Sequence, residues 1–125
     1  MLPKVYLALM NDPAVTALIG NRAYRHGSAP QGVTYPYVTW GVPAGDATIV
    51  FDQTDADQFR VQVDCWSSQD ADKNGIAGVE TVAAAVRAAL EPYAHLVAYT
   101  NDERDPDTQA FRLGFAFDWW YPRDL

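Results

Sequence analysis

"FRVQVDCWS", residues 59–67, sets Phe59, Val61, Val63 and Cys65 on one side of an extended chain and Arg60, Gln62 and Asp64 on the other. Side chains alternate across a strand with period two, so the stretch predicts a β-strand with one face in the core and the other wet. The closing "FRLGFAFDWWY", 111–121, repeats the pattern, with Phe111, Leu113, Phe115, Phe117, Trp119 and Tyr121 on one face. Two half-apolar strands need a covering layer. From Asp70 to Leu90 the spacing Ile76, Val79, Ala83, Val86, Leu90 follows a helical stripe, weakened in its first turn by Asn74-Gly75 and Gly78. The Ala-rich middle of that stripe suits close packing on a sheet.

The rest of the chain fits around these pieces. In "APQGVTYPYVTW", 29–40, Pro36 biases Tyr35 to an extended geometry, so the stretch reads as a positioned loop feeding a strand rather than the lip of an active site. The first twenty residues read as two short helical pieces, Pro3 to Met10 and "NDPAVTALIG". In the second, Asp12 caps, Pro13 takes the first helical position, Gly20 ends the helix, and Val15, Leu18 and Ile19 form the buried side. "RAYRH" is a short strand, "HLVAYT" another, and "NDERDPDTQ" a charged turn. In "PAGDATIVFDQTDAD", Pro43 to Asp57, a short apolar core "TIVF" is bracketed by polar turn residues, as in a projecting hairpin or arm. The order is α-β-β-β-α-β-β. It predicts one α+β domain over 1–125, a mainly antiparallel sheet of four to five strands with two helical segments packed on it, and a projecting β-arm at about 43–57.

Composition narrows the function. A chain of 125 residues is the usual size of one domain. Nine Lys and Arg against 16 Asp and Glu, net −7, argue against gripping nucleic acid or docking on anionic lipid. The single cysteine, Cys65, excludes an intrachain disulfide framework and fits synthesis in a reducing cytoplasm. No apolar run approaches the roughly 20 residues of a membrane span. Trp40, Trp66, Trp119 and Trp120 are more than a small core needs, which points some of them at a partner.

Chemistry-bearing motifs are few. "DADKNG", Asp70 to Gly75, begins like a calcium loop, yet the twelfth position holds Thr81 with Glu80 one residue off, and a strand precedes it instead of a helix. The plainer reading is that Ser68 or Asp70 caps the following helix. Asp102, Glu103, Asp105 and Asp107 cluster beside Pro106, as in a solvated turn. A nucleophilic Cys65 needs His26 or His95 beside it, but its alternation with Val61 and Val63 places it in the core and turns Asp64 away. No GxGxxG or GxxxxGK[ST] loop is present, and Trp119-Trp120-Tyr121 lacks the basic groove that base stacking requires. The residues therefore indicate no catalytic group, metal or cofactor.

Five pieces in order, "VTALIGNRAYR", "PQGVTYPYVTW", "RVQVDCWS", "AVRAALEPY" and "FAFDWWY", resemble the tail completion, or tail terminator, proteins of long-tailed bacteriophages and phage-like gene transfer agents. The resemblance spans nearly the whole chain and rests on core and loop residues. It implies a structural virion protein made in the bacterial host cytoplasm, forming a ring, typically of six copies, at the head-proximal end of the tail tube. Its partners are then its own copies, the tail tube protein and a neck or head-completion protein. DNA passes through the channel without specific binding, and no membrane is involved. The arm does not carry over from the family residue by residue. Its "TIVF" core is costly to leave wet, at roughly 25 cal/mol per Å² of apolar area. The expected partner contact is therefore Asp46, Thr48, Ile49, Val50, Phe51, Asp52, Gln53 and Asp55, and Gln31, Tyr35 and Trp120 are further candidates for contact with a neighbouring subunit. Three other readings stay open: another neck or head-completion component, a calcium-responsive binding module on Asp70, Asp72 and Asn74, and a small enzyme or ligand-binding cup containing His26, His95 or Asp64.

Overall fold

The apolar alternation of residues 59–67 becomes the central strand of a five-stranded sheet. The computed structural model describes residues 3–45 and 57–121, so the arm residues from Asp46 to Asp55 lie outside it. In chain order the elements are α1 (Val5–Met10), α2 (Pro13–Ile19), β1 (Ala23–Arg25), β2 (Tyr37–Gly45), β3 (Asp57–Ser67), α3 (Val79–Leu90), β4 (Ala94–Arg104) and β5 (Phe111–Tyr121). The strands lie in the order β1-β2-β3-β5-β4. β1 runs parallel to β2 and every other pairing is antiparallel, which makes the α+β class and the mainly antiparallel sheet correct.

β3 and β5 pair without a break from Asp57↔Tyr121 to Ser67↔Phe111, so the two alternating patterns share one face. On that face Val61, Val63, Cys65, Phe115, Phe117 and Trp119 are buried under the helices. α3 covers β3 and β5 with Val79, Val82, Ala83, Val86, Ala89 and Leu90, while α1 and α2 pack against α3 on the β1 side. Trp119 closes the far end of the core, stacked on Tyr93 at 5.9 Å between ring centroids.

The N-terminal helical text folds as two helices, because Asp12 starts a new one. Its carboxylate accepts from the backbone N–H of Ala14 at 2.9 Å and of Val15 at 3.1 Å, and Pro13 follows. Gly20 ends α2 at φ 59°, a left-handed conformation that glycine adopts at little cost.

Two expected boundaries are corrected. The helix expected from Asp70 begins only at Val79. Asn74 (φ 54°) and Gly75 (φ 77°) both sit in the left-handed region, and Lys73 and Ile76 exchange backbone hydrogen bonds of 3.0 and 2.9 Å across them. That is the tight two-residue hairpin turn which Asn-Gly favours. Likewise the text expected as a charged turn from Asn101 is strand as far as Arg104, and only residues 105–110 turn back.

Candidate functional site

The sheet face away from the helices is where the wet side of the alternation was expected, and there the largest departure occurs. Asp64 points to that face but is 1% exposed. It is buried because neighbours from four segments close over it. Arg112, opposite Trp66 in the ladder, donates through Nε to Oδ1 at 3.2 Å and through Nη2 to Oδ2 at 3.1 Å. His26, in the loop after β1, brings Nε2 to 3.3 Å from Oδ2. Gln62 Nε2 adds a contact to Oδ1 at 3.3 Å, and Asn101 Nδ2 a longer one at 3.5 Å.

Two glycines make the room. A Cβ at Gly114, which faces Asp64 across the ladder, would collide with Asp64 Oδ1. A Cβ at Gly41 would fall 2.9 Å from His26 Nδ1. Beyond the carboxylate, Arg112 lies over the Trp66 ring at 5.1 Å, Trp66 stacks on Tyr37 at 5.9 Å, and Trp66 Nε1 donates to Thr39 Oγ1 at 3.1 Å. Burial opposes the charge on Arg112, but hydrogen bonds to Asp64 and the Asp64 charge outweigh it and raise the guanidinium above its ordinary value. A bidentate Arg-carboxylate pair of this kind fixes geometry.

The cluster leaves little for chemistry. Both Asp64 oxygens are taken, and His26 spends Nε2 on Asp64 while its Nδ1 lies against Gly41. The depression above them, of about 240 Å³, is lined by His26, Thr39, Trp66 and Arg112. Cys65 sits on the core face with its thiol pushed up by burial and then by the Asp64 charge, so it is a small core residue and no nucleophile. His95 is far from this group along the sheet, across from Asp118 in the ladder.

The calcium-like stretch has another use. Asp72 Oδ1 accepts from Gly78 N at 2.8 Å and from Thr81 Oγ1 at 2.7 Å, tying the hairpin turn to the start of α3. This is the work expected of Ser68 or Asp70. Among the described residues no cluster of three or more His, Cys, Asp or Glu side chains is placed to hold a metal. Those two hydrogen bonds, the backbone one first, lower the Asp72 carboxyl below its ordinary 3.8. Stability from Asp72 is therefore fully present above 3.8 and is lost as pH falls through its lower folded value. Replacing Asp72 with alanine is expected to lower the melting temperature at neutral pH, with the gap to wild type closing in strong acid. A gap that persists unchanged at low pH would show that the charge plays no part.

Of the residues expected at a partner surface, Gln31 is exposed in the loop before β2, and Tyr35 is half-buried beside Tyr37 at 5.4 Å between rings. Trp120 pairs with Gln58 in the β3–β5 ladder. The eight arm residues lie outside the described residues. Sequence reasoning named His26 and Asp64 for a cup on the sheet but did not bring Arg112 to them. The signal for the cluster was Gly114, a lone glycine in an otherwise bulky strand, which marks close approach of another group.

In this α+β domain the buried Asp64 carboxylate is spent on bracing the sheet through Arg112 and His26. The chain belongs to the tail completion protein gp17 family, whose sequence model matches residues 3–122. No curated protein matches it. Membership gives the chain a structural role in phage tail assembly and makes it a component of the virion.

Proposed function

We propose that copies of this chain form a ring at the head-proximal end of a finished tail tube, where they stop addition of tube protein and offer a surface to the neck. The match to the tail completion family along residues 3–122 supports this reading. The braced sheet suits it, because a terminating ring must hold its shape against the tube rather than turn over a substrate. A net charge of −7 suits a channel that DNA crosses, since like charge removes the phosphate attraction behind non-specific binding. In this reading the arm residues Asp46, Thr48, Ile49, Val50, Phe51, Asp52, Gln53 and Asp55 contact a partner chain, and Gln31, Tyr35 and Trp120 also contribute to a partner surface.

Electron microscopy of particles from a host carrying the gene, intact or deleted, tests the role. Deletion is expected to give tails of irregular, abnormal length that fail to join heads. Removing residues 46–55 alone is expected to leave a folded chain with the same tail defect. Tails of normal length that stay unjoined would point instead to a neck or head-completion component, and unchanged particles would end both readings.

A further inference from the structure

The two flanks of the sheet differ in a complementary way. On one flank, β4 is the open edge, and α3, which covers β3 and β5, leaves a groove of about 470 Å³ beside it. Leu113 and Phe115 lie in the groove, with Ala84, Ala88 and Tyr99 along its sides. Tyr99 is 57% exposed although it packs on Phe115 at 5.3 Å. Toward the other flank, α1, which packs against α3, α2 and β1, presents Tyr6 and Leu7, 44% and 41% exposed. With Val97 of β4, these are the large hydrophobic residues left exposed among the described residues.

The flanks also differ in charge. Glu80, Glu91 and Asp102 line the α3–β4 groove against Arg87, which is held by Glu91 at 3.2 Å and the Tyr99 hydroxyl at 2.8 Å, so the lining is net acidic. Residues 3–31 carry Lys4, Arg22 and Arg25 against Asp12 alone. Backbone pairing between the two edges has little to work with. β1 is three residues long with its Arg25 carbonyl taken by Ser28 N at 2.9 Å, and β4 is interrupted by two register shifts, a usual way to blunt an edge. A side-chain contact remains, and on α3 the exposed Ala84 and Ala88, four apart on one face, allow close approach.

We propose that the α3–β4 groove of one copy receives Tyr6 and Leu7 from α1 of the next copy, with the basic α1–β1 flank facing the acidic α3–β4 flank. This deepens the ring reading and rests on it. Two different patches of one chain make a heterologous contact, which propagates from copy to copy and closes into a ring when the rotation allows.

Cross-linking of assembled tails tests the contact. Chains carrying Leu7→Cys, Ala88→Cys, or both are supplied to a gene-deleted host, and the purified tails are treated with a short bismaleimide. Cys65 is fully buried and stays silent. The double variant is expected to give a ladder running beyond dimers on a denaturing gel, and each single variant only monomers. A double variant without a ladder, or dimers from either single variant, would overturn the contact. Microscopy of the same tails keeps the two claims apart. Normally ended tails without a ladder overturn the groove contact alone, whereas tails left unended by the wild-type chain overturn the ring reading and the contact with it.

Discussion

Replacing Arg112 with leucine is expected to lower folding stability by about 3 kcal/mol, or roughly 10 °C in melting temperature for a domain of this size. The loss comes from Asp64 more than from Arg112. Arg112 is 28% exposed by its side chain and reaches water in part, while Asp64 at 1% does not. Without the guanidinium a carboxylate is left inside the protein with a histidine and two amides for company, and an uncompensated buried charge costs about 3–5 kcal/mol. The lower end applies because Asp64 borders an open depression rather than the helix-covered core. The companion variant separates cause from coincidence. Adding Asp64→Asn to Arg112→Leu removes the stranded charge at almost no change in volume, so the double variant is expected to regain at least half of the loss. Thermal unfolding of the two proteins side by side decides the point, and equal melting temperatures would mean that Asp64 is not the source.

That cluster also marks the limit of what the residues disclose in linear order. The β3 and β5 strands were legible because apolar residues recur with period two, from Phe59 to Cys65 in β3 and from Phe111 to Tyr121 in β5, with no register shift between the strands. The cap of α2 was legible because Asp12, Pro13 and Gly20 each act within a turn of their own position. β4 was truncated in the reading because its register shifts, between Leu96 and Ala98 and again between Tyr99 and Asn101, break the alternation that identifies a strand. The start of α3 was misplaced because an apolar residue, Ile76, happens to continue the helical spacing while Asn74-Gly75 folds the chain into a hairpin turn. Asp64 was legible as outward-facing but not as buried. Its cover comes from Arg112, 48 residues later, Asn101, 37 residues later, and His26. Outward in the strand pattern means away from the helices, and only tertiary contacts decide whether water is there.

The strand pattern makes its own quantitative claim at two adjacent residues of β5. Phe117 is fully buried, packed edge-to-face on Phe115 at 5.9 Å, and truncation to alanine is expected to cost about 4 kcal/mol through lost transfer energy and the cavity left behind. Asp118, the next residue, faces the other way and pairs with Arg60 at 2.8 Å, with side chains 21% and 44% exposed. An ion pair open to solvent is worth less than about 1 kcal/mol, so Asp118→Ala is expected to be nearly neutral despite its short hydrogen bond. Denaturant unfolding with unchanged m-values measures both. A several-fold gap between neighbours one position apart is what a single buried face requires, since a slip of one residue in the β3–β5 register would exchange the two environments. Comparable losses at Phe117 and Asp118 would therefore contradict the pairing of Val61 with Phe117 on which the helix-covered core is built.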